Sequence, residues 1–123
     1  MTIEPVALED AFDRFDDQWA PKAVASMNDY LVKLVRVEGE FVWHAHDDTD
    51  ELFLVVDGSL IIDLEGEDSV TLAAGELFVV PAGIRHRPRA DQEAKVLLLE
   101  PDSVVNTGDA SGGELTSPVD WLT

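Results

Sequence analysis

Apolar residues Leu8, Phe12, Phe15 and Trp19 recur at intervals of four, three and four, placing them on one helical face with Glu9, Asp10, Asp13 and Asp16 largely elsewhere. The spacing predicts a short N-terminal helix over residues 6–19, within a segment 1–20. From Val24 the pattern changes to β: branched residues run to Met27, Asn28-Asp29 offers a turn, and Leu31 to Val37 is rich in valine and leucine. Further strand-like runs cover residues 40–46, 51–56, 59–64, 69–73, 76–80, 84–89 and 94–99. Turn chemistry at Asp57-Gly58, Glu65-Gly66-Glu67-Asp68, Ala74-Gly75 and Pro81-Ala82-Gly83 separates them.

Short strands about ten residues apart, with no helical pattern between them, predict an all-β fold, an antiparallel sandwich or barrel rather than a parallel sheet. Eight or nine of them fit a jelly roll with its core over about residues 24–100. After Pro101 a Ser-, Gly- and Asp-rich tail, 101–123, reads as a long loop with Val119, Trp121 and Leu122 as an anchor. A chain of 123 residues, 46% of them hydrophobic, suits one compact domain. No run of about 18 uncharged apolar residues is present, and Glu4, Glu9 and Asp10 stand where a secretory signal would carry basic residues, so the expected location is the cytoplasm.

Composition narrows the partners. With 26 acidic residues against 8 basic ones the net charge is −18, which repels nucleic-acid phosphates and anionic lipid headgroups alike, so neither is expected. Such an excess suits a protein working at high internal salt, an acidic mesophilic protein being the alternative. The absence of cysteine excludes disulfides, thiolate metal sites and thiol nucleophiles, leaving nitrogen and oxygen to hold any metal.

Candidate chemistry then centres on the three histidines, His44, His46 and His86. Two residues apart on a strand, His44 and His46 point the same way, and a hairpin through Asp47–Asp50 can return the Glu51 carboxylate opposite them. His86 follows a Pro- and Gly-bounded turn on a separate strand, so only a closed or folded-over sheet brings it across. Three imidazoles and one carboxylate suit a borderline divalent ion. Asp50 is an alternative to Glu51, which has the longer reach and opens its strand. A His-x-His pair taken alone is more often a solvated strand edge than a metal site. Arg85, Arg87 and Arg89, three of the five arginines, invite reading as an anion clamp, but if His86 points inward then Arg85 and Arg87 point out. The same parity puts Phe41, Trp43 and Ala45 opposite His44 and His46, on an outer face that the N-terminal helix or a second copy of the chain would cover, which predicts a homodimer.

The spacing of these residues resembles the cupin superfamily, whose first motif runs Gly, x5, His-x-His, x3 or x4, Glu, x6, Gly and whose second runs Gly, x5, Pro-x-Gly, x2, His, x3, Asn. Here the first reads Gly39, four residues, His44-Ala45-His46, four residues, Glu51, six residues, Gly58. The second reads Gly75, five residues, Pro81-Ala82-Gly83, two residues, His86, with Ala90 in place of the asparagine. The resemblance implies a small jelly-roll β-barrel in which His44, His46, Glu51 and His86 converge on one divalent transition ion, Mn, Fe, Zn or Ni. It implies a metal-dependent enzyme acting on a small organic molecule, dioxygenase-like or sugar isomerase-like. A metal-dependent binding or sensing module and an ion of purely structural use are the other classes. An isomerase needs a base near the metal, and the inward candidates reduce to carboxylates such as Glu40, which shares parity with His44.

Overall fold

The computed structural model describes residues 3–110, 113, 115, 116 and 118–122. It is an all-β arrangement with one short helix: α1 (Leu8–Phe12), then β1 (Lys22–Met27), β2 (Tyr30–Glu40), β3 (Glu51–Asp57), β4 (Ser59–Leu64), β5 (Val70–Ala73), β6 (Leu77–Val80), β7 (His86–Pro101) and β8 (Asp120–Trp121). Pairing is antiparallel except where β8 runs parallel to β1. Among the described residues no helix is long and apolar enough to cross a membrane.

β7 organises the sheet. The two strands expected at 84–89 and 94–99 are one 16-residue strand, bent at the exposed Asp91-Gln92-Glu93. β2 follows one edge of it from Tyr30↔Pro101 to Glu40↔Arg89, shifting register between Val37 and Gly39 opposite the bend. The other edge is shared, with β4 on residues 86–89 and β3 on residues 95–99. The chain passes from β3 to β4 at Gly58, where φ is +88° and an added Cβ would stand 3.1 Å from Ala94 Cα. Only glycine meets both demands at low cost. Adding β5 on β4 and β6 on β3 completes an open pairing path, β5-β4-β7-β2-β1-β8, with β3 and β6 branching from β7.

The bend folds the two halves over one apolar core that includes Val35, Val37, Phe53, Val55, Leu60 and Ile62. A second cluster forms on the opposite face of β2, where Leu34 packs with Ala11 and Phe12 under α1. Burial on both faces explains why residues 31–35 read as an almost continuous apolar run rather than an alternation.

Two expectations are corrected. The helix expected over 6–19 stops at Phe12 because the Arg36 guanidinium takes its outgoing carbonyls, Nη2 donating to Phe12 O (2.8 Å) and Nε to Phe15 O (2.9 Å). Trp19, at φ +58°, then turns into the other core, its Nε1 donating to Glu38 O. The strand expected at 40–46 is irregular, keeping only an isolated bridge between His44 and His86. Strict side-chain alternation is lost there: Phe41 and Ala45 are buried within the chain, so the outer apolar face expected of them does not exist. At the C-terminus Leu122 packs against the second cluster, whereas Val119 and Trp121 stay about half exposed.

Candidate metal centre

Each of the four candidate residues is fixed by a different local device. Glu51 opens β3 on its inward face, in register with Val80. His86 opens β7, and His44 faces it across two backbone hydrogen bonds, His86 N–H to His44 O (2.8 Å) and His44 N–H to His86 O (3.0 Å). The turn before β7 is tied to the first histidine segment, Gly83 N–H donating to His46 O (2.9 Å). Asp50, the alternative to Glu51, is engaged elsewhere, its Oδ1 accepting from Ala82 N–H (2.9 Å).

The structure brings the set together. One donor atom from each of His44, His46, Glu51 and His86 lies within 4.8 Å of every other, and all four residues are buried. His46 Nε2 and His86 Nε2 each stand 3.3 Å from the same oxygen, Glu51 Oε1.

Tautomers sharpen the fit to a cation. His44 Nδ1 lies 2.9 Å from Val42 O and His86 Nδ1 2.9 Å from Ile84 O. A carbonyl only accepts, so each Nδ1 carries a proton, and Nε2 is the ring nitrogen turned into the cluster. His86 Nε2 meets that carboxylate oxygen at 3.3 Å, and His46 Nε2 is buried with no hydrogen-bond partner among the described residues. A divalent ion shared by the four would satisfy both. Burial, reinforced by the like charge His86 would carry, lowers His44 to about 4, so its imidazole is neutral at physiological pH, as ligation requires. Burial alone would raise Glu51, but its contacts with His46 and His86 outweigh it and hold the carboxyl well below the usual range.

Beside Glu51 lies a buried pair that sequence reasoning missed. Lys33 Nζ donates to Glu100 Oε1 at 2.9 Å, with side chains 3% and 1% exposed. Burial and then the neighbouring Glu51 charge push Glu100 well up, against the pull of Lys33. Alternation carried the missed signal: Lys33 shares parity with Val35 and Val37, and Glu100 with Val96 and Leu98.

The arginines lie outside the cluster, as parity indicates. Arg85 pairs with Glu65, and Arg87 pairs with Glu40 and Asp63. Arg89 also pairs with Asp63. Glu40 is exposed, so the suggested inward base is a surface partner of Arg87. Next to His44 and Glu51 an apolar cavity of about 30 Å³ is walled by Val35, Phe41, Phe53, Leu60 and Leu98, with Trp19 at one side. No lysine or arginine lines it. Trp19 stacks on Phe41 (centroids 4.7 Å, 19°), and Phe41 in turn meets the His44 ring edge-on at 5.4 Å.

Fold and buried histidine–carboxylate cluster define a β-fold protein with a candidate metal site. Residues 31–100 match the Cupin domain family, and the chain belongs to it. It is 48% identical to a cupin-2 domain protein from Shewanella frigidimarina, whose crystal structure superposes with a TM-score of 0.76 over 78% of this chain and 93% of that one. It is 38% identical over 68 residues to uncharacterized protein YdbB of Bacillus subtilis (strain 168), covering 55% of this chain and 60% of that protein. Hydroquinone 1,2-dioxygenase from Sphingomonas sp. TTNP3, solved in complex with 4-nitrophenol, is 26% identical with a TM-score of 0.73 over 82% of this chain. The matched part is 33% of that enzyme's chain.

Proposed function

We propose that this protein is a metal-dependent enzyme of oxygenase type acting on a small, uncharged organic molecule, with His44, His46, Glu51 and His86 as the ligands of one divalent transition ion. The observation that carries the reading is the convergence of those four buried donors within 4.8 Å beside an apolar cavity. The likeness to a hydroquinone dioxygenase adds support for the reaction class. A cavity with no cationic side chain among the described residues disfavours a sugar phosphate.

When bound, the ion supplies Lewis acidity and, as iron, redox chemistry with dioxygen. The chain's own part is to present three imidazoles, fixed at Nδ1 by Val42 O and Ile84 O for two of them, and one carboxylate. Its apolar walls exclude water from the ligand's reacting face. At about 30 Å³ the resting cavity has room for about two waters. A ring-sized ligand therefore enters only as Trp19 moves off Phe41, and binding changes tryptophan fluorescence.

Oxygen consumption by the iron-loaded protein with a panel of phenols and enols tests the reading, with His86→Ala as control. Uptake that requires both substrate and His86 supports it, and uptake with no member of the panel counts against it. One observation favours a second reading, a metal-dependent binding or sensing module: among the described residues His44 and Glu51 are the only ionisable side chains lining the cavity, and both are committed to the ion. Fluorescence and melting shifts without turnover would select it.

The wider proposal is a cytoplasmic homodimer of a single cupin domain whose folded-over sheet closes as a jelly-roll barrel through side-chain packing. Leu77 and Val79, 58% and 41% exposed on β6, which pairs only with β3 among the described strands, support an interface between copies. Light scattering on the purified chain decides the oligomeric state.

A further inference from the structure

The segment that carries His44 and His46 lacks the strand ladder that would ordinarily aim two ligands, so something else must hold it. Residues 104–110, beyond the segment that matches the family, do so. Ala45 N–H donates to Asp109 Oδ1 at 2.8 Å, and Asp109 N–H donates back to Ala45 O at 3.0 Å, so one residue grips both main-chain polar groups of Ala45, between the two histidines. Gly108 is pressed against the same peptide: an added Cβ would collide with Ala45 O and lie 3.1 Å from His46 Nδ1. The gripping segment is itself fastened. Thr107, 1% exposed, shares a 2.7 Å hydroxyl hydrogen bond with Thr116, and Asn106 Nδ2 donates to Leu115 O at 2.8 Å.

His46 depends on this grip more than its partners do. The rings of His44 and His86 are aimed by carbonyls at their Nδ1 atoms, whereas His46 Nδ1 has no such hydrogen bond among the described residues and lies where a Cβ on Gly108 would crowd it. Its direction is therefore set by the position of the 45–46 peptide, held by Asp109 on one side and by Gly83 N–H at His46 O on the other. We propose that Asp109 and Gly108 are positioning residues of the metal site, so that the segment after Pro101 is a working part of the centre and not a passive tail.

The inference rests on the four-ligand reading of the site, and cobalt(II) titration separates the two. Wild-type protein should bind one Co(II) per chain with a visible ligand-field spectrum; failure to do so overturns the site and the grip together. If wild type binds, Asp109→Ala should weaken Co(II) binding about tenfold, the scale seen when a group orienting a metal ligand is removed, and should alter the spectrum. Asp109→Asn keeps an oxygen to accept from Ala45 N–H and should restore both. A lowered melting point in Asp109→Ala with unchanged affinity and spectrum would reduce Asp109 to a structural role and sink the proposal. Should Asp109→Ala fail to fold, amide exchange on the metal-free wild type decides: strong protection of Ala45 N–H supports the grip, and free exchange overturns it.

Discussion

Single residues in this site are placed where their own chemistry is incomplete. His46 Nε2 is buried without a hydrogen bond, and an orphaned group of that kind costs about 1–3 kcal/mol in the folded state. A bound ion removes that penalty, so metal and fold are linked. At one hundred times its dissociation constant, Zn(II) should stabilise the wild type by about 2.7 kcal/mol. If His46→Ala lowers affinity about a hundredfold, the same concentration gives only about 0.4 kcal/mol. Parallel urea melts with and without Zn(II) read the difference, and equal increments in the two proteins would remove His46 from the ligand set. Lys33 and Glu100 make a related case, a buried pair in which Lys33 Nζ holds Glu100 Oε1 while Glu100 Oε2 is buried without a hydrogen bond among the described residues. Lys33→Met leaves the Glu100 carboxyl alone in the interior and should cost about 3 kcal/mol. The double variant Lys33→Met with Glu100→Leu should recover most of it, and a double-mutant cycle in urea measures the coupling.

At the level of elements, period-two alternation made β3 and β4 legible, because each buries one face against the main core, whereas the apolar run of β2 was legible because both its faces are covered. Alternation failed for the His44–His46 segment, where the bridge to His86 and the Asp109 grip override strand geometry, and so misplaced Phe41 and Ala45. The helix was read too long because Phe12 and Trp19 keep helical spacing while packing on different cores. The four candidate ligands were readable from spacing and the inward placement of Glu100 from alternation, whereas Asp109 acts through a tertiary contact that no local pattern encodes. The outward arginines find their use in joining elements. Asp63 on β4 accepts from Arg87 Nη2 and Arg89 Nε on β7, both at 2.9 Å, and from Ser69 Oγ at 2.6 Å. Hydrogen bonds from Arg89, Ser69 and Arg87 outweigh burial and hold Asp63 well below its ordinary 3.8. A depressed carboxylate stabilises above its unfolded pKa, and that contribution disappears as pH falls through the folded value. Asp63→Asn should therefore cost about 1–2 kcal/mol near neutral pH. The gap to wild type should begin to close only below about pH 4. Chemical denaturation of both proteins across that range checks the sign, and a gap that widens on acidification would refute it.

Across the whole molecule, charge is the term that remains uncompensated. Among the described residues, ion pairs engage Lys22, Lys33, Arg36, Arg85, Arg87 and Arg89, while the chain carries 26 acidic residues against 8 basic ones. The surplus lies partly in loops such as Asp47-Asp48 and Glu65–Asp68, which hold exposed carboxylates close together. Salt acts on this balance in two directions. Exposed pairs such as Arg85–Glu65 weaken as screening rises, but each is worth only about 0–1 kcal/mol. Repulsion among the surplus carboxylates weakens as well, and it sums over many pairs that lie within about 10 Å, the screening length at 0.1 M. Raising salt to 1 M shortens that length to about 3 Å, silencing most of the repulsion while leaving the buried Lys33–Glu100 pair nearly untouched. With a net charge of −18 the repulsive sum dominates, so the melting temperature of the metal-free protein should climb steadily from 0.1 M to 1 M. NaCl and KCl should act alike, because screening depends on ionic strength and not on the cation. A melting point that is flat or falls over that range would mean that the paired arginines, and not the unpaired carboxylates, set the electrostatic balance of the fold.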